Sequence, residues 1–152
     1  MALKRMFNNS VVQSDEFTDL TNDAKLVYFY FGMYADDCGF VDNSKTIFRI
    51  LGIIKEYDPV ITELIENEFI IPIDDKKLLL IRHWNANNYI HRYRAKSRYM
   101  KQNLEEMYLD DAGIYNQDGN GEPALDHFIK TKDNDNVTSL SEQQRRERFG
   151  TL

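Results

Sequence analysis

The stretch FIIPIDDKKLLLI, at positions 69–81, carries the clearest structural signal in this chain. Two short apolar runs, 69–73 and 78–81, flank a polar segment at 74–77. Short β-prone runs on either side of a four-residue turn are typical of two antiparallel strands. The stretch therefore predicts a β-hairpin, and the elements around it follow from how the preceding residues can pack on it.

Three helices and one short strand are predicted before the hairpin. Apolar residues recur with helical spacing at 22–35, 45–51 and 58–67, and residues 39–41 allow only a short strand. The order helix, strand, helix, helix, hairpin is that of a winged helix-turn-helix. We therefore expect a mainly α fold with a small β-hairpin: a three-helix bundle, the hairpin beside it as the wing, and a C-terminal helical extension.

The charge of the chain is strongly segregated. Residues 1–81 carry 8 basic and 14 acidic side chains, residues 82–101 carry 6 and 0, and residues 102–152 carry 5 and 11. Aromatic residues are interleaved in the basic stretch. A local excess of Lys and Arg attracts the phosphates of nucleic acids, although a solvated basic helix face gives the same pattern.

The chain divides by composition into three parts. Residues 1–91 are expected to form the winged-helix domain with an N-terminal arm, and 92–109 a basic, amphipathic helical extension. From 110 to 152 the apolar periodicity is lost, which predicts an acidic flexible tail with one short helix at 142–149.

Several classes of function are disfavoured by the composition. The single cysteine, Cys38, excludes an internal disulfide and suits a reducing compartment. The three histidines lack metal-ligand spacing, and no glycine-rich phosphate loop occurs. No run of 18 apolar residues is present. We expect a protein without enzymatic activity, cofactor, metal or membrane partner, in a reducing cytoplasm.

Short motifs spread over residues 4–94 carry a family resemblance. They are Arg5-Met6-Phe7, Val12 with Ser14-Asp15 and Phe17, Ala24 with Tyr28-Phe29, Met33 with the segment at 35–41, Arg82-His83-Trp84 and Asn87-Asn88-Tyr89-Ile90. In this order they resemble the N-terminal domain of phage replisome organisers and DnaD-like primosomal proteins. The resemblance implies a winged helix that binds origin DNA in the cytoplasm of a bacterial host cell. It also implies that the protein self-associates as a dimer or higher oligomer and helps to recruit the host helicase loader and helicase. Relatives continue with Asp-Arg-Tyr-Lys-Pro after the last motif, whereas this chain has His-Arg-Tyr-Arg-Ala.

The candidate DNA-binding residues come from the basic stretch, the second helix and the hairpin turn. They are Arg92, Arg94, Lys96, Arg98, Lys101, Tyr89, Tyr93, Lys45, Arg49, Lys76 and Lys77. The cations would neutralise phosphates and the tyrosines would stack on bases or pack on the hairpin. The third helix exposes Glu63 and Glu66, which makes it a poor reader of bases, and Trp84 is expected in the core.

The function expected from these observations is binding of double-stranded origin DNA in phage replication initiation. A transcriptional regulator of the same fold is one alternative. A protein-binding assembly adaptor with little affinity for DNA is another, because the third helix and the tail are acidic. The helix at 22–35 has two apolar stripes, which is a further reason to expect self-association.

Overall fold

The fold is built from short helices and two small sheets. The computed structural model describes residues 3–129 of the 152 in the chain. Within that range the helices are α1 (Asn9–Val12), α2 (Asp15–Thr18), α3 (Asn22–Tyr34), α4 (Ser44–Ile50), α5 (Tyr57–Glu66), α6 (Trp84–Asn87), α7 (Met100–Asn103) and α8 (Ala124–Phe128), with a 3₁₀ turn at Ile54–Glu56 before α5. The strands are β1 (Phe40–Val41), β2 (Ile70–Ile73), β3 (Leu78–Ile81), β4 (Tyr108–Leu109), β5 (Tyr115–Asn116) and β6 (Glu122–Pro123).

The first sheet confirms the predicted hairpin and adds a third strand to it. Its strands are antiparallel in the order β1-β3-β2, with Leu80 opposite both Phe40 and Ile71. All four residues of β3 are buried, and this strand is the central one of the sheet. The predicted helices α3, α4 and α5 are confirmed to within one residue or so, and α3 packs against both α4 and α5.

A second sheet follows the basic stretch. Its antiparallel order is β5-β4-β6, with Tyr108 opposite both Asn116 and Pro123. Helix α8 packs on this sheet, and the backbone N–H of Ala124 donates to the carbonyl of Met107 over 2.8 Å. Strands of two residues have little stability alone, so this unit depends on what it packs against.

Tyr115 joins the second sheet to the first. Its side chain is fully buried, its backbone N–H donates to the carbonyl of Arg82 over 2.9 Å, and its hydroxyl donates to the carbonyl of Cys38 over 2.7 Å. Phe128 of α8 is only 2% exposed. Residues of both sheets therefore belong to one hydrophobic core, together with α3, α4 and α5.

The expected fold class is wrong. The chain is not a mainly α winged helix-turn-helix with a single hairpin and a helical extension, but a mixed α/β structure with two three-stranded antiparallel sheets. The physical reason is the segment 104–128, whose buried side chains are too few and too irregularly spaced to show a period. They nevertheless complete the core through Leu104, Leu109, Tyr115 and Phe128.

The parts after residue 91 also differ from the expectation. Residues 91–99 contain no helix, and the only helix within 92–109 is the single turn α7. Residues 110–129 form β5, β6 and α8 and are not a flexible tail. The rest of the expected tail, with its helix at 142–149, lies outside the described residues. Within 3–129, no helix is long and apolar enough to cross a membrane.

We predict that Tyr115→Phe lowers the free energy of unfolding by about 1–3 kcal/mol, because the buried carbonyl of Cys38 loses its hydroxyl donor. Phe128→Ala should lower the free energy of unfolding by about 3–5 kcal/mol, because it leaves a cavity in the core. Urea unfolding followed by circular dichroism measures both. Tyr89→Phe is the matched control, since the same hydroxyl is removed from a side chain that is 86% exposed. Equal stability of the three variants would show that the second sheet contributes nothing to folding.

A second prediction concerns Cys38, which is free and fully buried. Burial raises the pKa of its thiol, and the neighbouring carboxylates of Asp36 and Asp37 raise it further. The thiolate is the reactive species, so alkylation should require unfolding. At pH 8 the folded protein should react with iodoacetamide roughly 10³-fold or more slowly than the chain in urea. Comparable rates would mean that the turn carrying Cys38 opens in the folded state.

Candidate nucleic-acid interface

The N-terminal arm is fixed by a buried arginine. The Arg5 side chain is 3% exposed and lies 5.0 Å from the centre of the Trp84 ring. Its Nη2 donates to the carbonyl of Ala35 over 3.1 Å and pairs with Asp37 Oδ1 at 3.3 Å. A buried guanidinium is tolerated only when it is paired, so this contact ties the arm to the turn after α3.

Two asparagine side chains form hydrogen bonds with the backbone of the arm. Asn88 Oδ1 accepts from the backbone N–H of Met6 over 2.9 Å, and Asn87 Oδ1 accepts from that of Asn8 over 3.0 Å. Asn87 Nδ2 also donates to the Tyr28 hydroxyl over 2.8 Å, and burial raises the pKa of Tyr28 to about 12. The backbone just before Tyr89 is therefore held on both sides.

The prediction that Trp84 belongs to the core is confirmed. It is 1% exposed, and its Nε1 donates to the carbonyl of Asp37 over 2.9 Å. Gly39 faces this ring with φ +96°, and a Cβ there would lie 2.6 Å from Trp84 Cγ. Only glycine fits such a backbone at this distance. Asp36 Oδ1 accepts from the N–H groups of Cys38 and Phe40, which closes the turn.

The segment 91–99 carries five of the eleven predicted site residues and is held at two points, one in this turn and one just after β1. The backbone N–H of Lys96 donates to Asp37 Oδ2 over 2.9 Å. The hydroxyl of Tyr99 donates to Asp42 Oδ2 over 2.6 Å, and this hydrogen bond raises the pKa of Tyr99. These bonds explain why the stretch lies along the surface in irregular form, with Ala95 and Tyr99 packed against the core and six of its nine residues exposed.

Three clefts on the surface share residues with one another. The hairpin cleft is lined by Asp42, Lys45, Asp58, Asp75, Lys76 and Lys77 among others. The central cleft is lined by Arg5, Asp37, Asp42, Lys96, Arg98 and Tyr99 among others. The arm cleft is lined by Lys4, Arg5, Asp37, Tyr89, His91 and Arg94 among others. Asp42 lines both the first and the second cleft, and Arg5 and Asp37 line both the second and the third, so the three clefts are neighbours. We call them together the basic face.

The basic face unites most of the predicted cations. Lys45, Lys76 and Lys77 come from α4 and the hairpin turn, and Arg94, Lys96 and Arg98 come from the 91–99 segment. All six are exposed, and none of them forms an ion pair within residues 3–129. Arg49 and Lys101 are also exposed, but neither lines these three clefts.

Arg92, Tyr89 and Tyr93 differ in how far they are exposed and in whether they are paired. Arg92 Nη2 forms an ion pair with Glu122 Oε2 at 2.9 Å. The other carboxylate oxygen of Glu122, Oε1, lies within hydrogen-bond distance of His127 Nδ1, at 2.7 Å. This arrangement ties Arg92 to the second sheet and neutralises its charge. Tyr93 is 37% exposed, with the Arg92 guanidinium 5.8 Å from its ring centre, whereas Tyr89 is 86% exposed.

The carboxylates of the basic face are largely engaged. Asp37 binds Arg5 and the Lys96 N–H, and Asp42 binds the Tyr99 hydroxyl. Outside the basic face, Glu63 of α5 accepts from both the N–H and the hydroxyl of Thr21 over 2.7 Å and so stabilises the start of α3. Asp58 and Asp75 remain in the hairpin cleft and reduce its positive potential.

Sequence reasoning missed the contribution of the arm. Lys4 and Arg5 line the basic face, and Arg5 bonds to Ala35 and Asp37, which lie 30 and 32 residues further along the chain. Their early positive charge was visible, but nothing in its spacing pointed to Asp37 or Arg94. Within residues 3–129 no group of three or more histidine, cysteine or acidic side chains is placed to hold a metal ion.

Comparisons of the chain with protein-family models, with curated proteins and with solved structures found no match.

We predict that Arg5→Ala lowers the free energy of unfolding by about 2 kcal/mol, because Asp37 is left without its buried cation and the contact with Trp84 is lost. The neighbouring Lys4→Ala is the control, because this side chain is exposed and its loss should change stability by less than about 0.5 kcal/mol. Urea unfolding followed by tryptophan fluorescence reports on both the stability and the environment of Trp84. Identical midpoints for the two variants would contradict the role assigned to Arg5.

Proposed function

We propose that this chain binds double-stranded DNA through the basic face. The observation that carries the proposal is the continuity of the three clefts, which joins cations from the arm, α4, the hairpin turn and the 91–99 segment. Phosphates attract such cations regardless of base sequence. With a pI near 5.1 the chain as a whole repels DNA, so binding depends on this face and on its orientation.

We further propose that the DNA is a phage replication origin and that the chain acts as a replisome organiser. The support is the resemblance to phage replisome organisers and DnaD-like proteins, together with the position of the residues that carry it. Arg5, Asp37, Trp84 and Asn88 lie in one contact cluster that fixes the arm. Self-association and recruitment of the helicase loader or helicase belong to the same proposal.

Exposed apolar residues favour an assembly adaptor as the second candidate function. Leu26 and Met33 of α3 are 41% and 43% exposed, and Ile50 of α4 is 56% exposed. Large apolar side chains left in water on neighbouring helices suit a protein partner or a second copy. If this candidate is correct, the chain should show little affinity for duplex DNA even at low salt.

A transcriptional regulator could use the same basic face, and footprinting distinguishes it. An organiser should protect repeated sites within a replication origin, whereas a regulator should protect an operator over a promoter. Protection of the promoter alone would contradict the origin-binding part of the proposal and leave DNA binding in place.

We predict that the logarithm of the duplex binding constant falls with the logarithm of salt concentration with a slope of about −3 to −4, as expected for three or four neutralised phosphates. Arg94→Ala with Arg98→Ala should reduce the magnitude of that slope by about 2 and weaken all duplex sequences similarly, because phosphate contacts do not read bases. Fluorescence anisotropy with a labelled random duplex at several salt concentrations measures both quantities.

The matched control is Lys25→Ala with Lys55→Ala. It changes the net charge equally, but neither residue lines the three clefts. Circular dichroism establishes that both double variants are folded. Equal weakening by the two pairs would mean that only net charge matters, and unchanged binding by the first pair would remove the 91–99 segment from the interface.

A further inference from the structure

The aromatic side chain of Tyr89 is exposed to solvent, and the backbone just before it is held by hydrogen bonds. It is 86% exposed, whereas Tyr28 and Tyr115 are buried and Tyr99 is hydrogen-bonded to Asp42. The residue before it, Asn88, is buried, accepts from Met6 N–H and donates its own backbone N–H to the carbonyl of Trp84 over 2.9 Å. The ring therefore projects from a rigid support, which reduces the entropy lost when a ligand stacks on it.

The surroundings of Tyr89 differ in charge on its two sides. It lines the arm cleft, where Lys4, His91 and Arg94 supply positive or protonatable groups. It also lines a larger cleft toward the second sheet, where Asp110, Asp111 and Glu122 supply carboxylates. A phosphate backbone passing this ring is attracted to the side of the arm and repelled from the side of the second sheet.

The volume of the arm cleft limits the size of the ligand that can bind beside Tyr89. Its volume is about 270 Å³, which lies below the ~300–1,000 Å³ typical of sites for whole small molecules. Such a cleft suits one flat group with an attached phosphate. A base offers its face to an aromatic ring only when it is unpaired or at the end of a stack, because inside a duplex both faces are covered by neighbouring bases.

We propose that Tyr89 stacks on an unpaired base of a DNA strand whose flanking phosphates contact Lys4 and Arg94. The inference rests on the proposed DNA-binding function and specifies the form of DNA that the arm cleft takes: a melted or single-stranded segment next to the duplex bound by the rest of the basic face. Lys4 and Arg94 position the strand, and the aromatic face tolerates any base.

The experiment uses a short thymine-only DNA strand with one 2-aminopurine, whose fluorescence is quenched on stacking. Wild-type protein should quench it. Tyr89→Ala should abolish the quenching and weaken single-strand affinity about tenfold, since stacking on an aromatic side chain contributes roughly that much per base. Tyr89→Phe keeps the ring and should retain both properties.

Three outcomes would overturn the inference. They are absence of single-strand binding by the wild type, equal single-strand affinity for wild type and Tyr89→Ala, and a Tyr89→Phe variant as weak as Tyr89→Ala. An RNA strand of the same design tests the ligand class, since tighter binding of RNA would contradict the assignment to DNA. Duplex binding that depends on Arg94 and Arg98 survives any of these outcomes, so failure of this inference is distinguishable from failure of the proposed function.

Discussion

The contact of Arg5 with Asp37 and Trp84 is the constraint on which the arrangement of the candidate interface depends. It joins three segments that are distant in sequence: the arm, the turn after α3, and the start of α6. Asp37 also receives the Lys96 N–H through its second carboxylate oxygen, so the same side chain positions the basic segment. A partly buried ion pair of this kind contributes less to net stability than to the choice of one arrangement, because desolvation offsets much of the attraction.

This arrangement explains how an acidic chain can present a basic face. The carboxylates nearest the basic segment are used in internal hydrogen bonds, as Asp37 and Asp42 illustrate, while the neighbouring cations reach water. These carboxylates keep their negative charge, but the lysine and arginine side chains that line the three clefts outnumber the aspartates there, so the local potential is positive. Over distances beyond roughly 10 Å it is screened by salt, so the negative charge elsewhere has a smaller effect on a bound polyanion. For the proposed binding of DNA, we therefore expect the geometry of the basic face rather than net charge to govern the affinity.

The second sheet supports the turn that contains Asp37 and the basic segment 91–99. Tyr115 bonds to the carbonyl groups of Arg82 and Cys38 and so covers the end of β3 and the turn that holds Asp37. Glu122 of β6 holds Arg92, which fixes the start of the basic segment from the other direction. The segment is thereby supported at Arg92, Lys96 and Tyr99, and its intervening side chains are left free for binding.

The sequence by itself determined the elements whose signals are local. Helices α3, α4 and α5 and the hairpin were predicted because their apolar spacing and the polar turn act within a few positions. Residues 92–99 were predicted to be part of a helical extension, but bonds to Asp37 and Asp42 hold them in irregular form, and no local pattern encodes those partners. The two-residue strands β4, β5 and β6 are too short to show a period. Only the tertiary structure decided their order, the fold class and the joining of Lys4, Lys45, Lys76 and Arg94 into one face, because each depends on contacts between residues far apart in the chain.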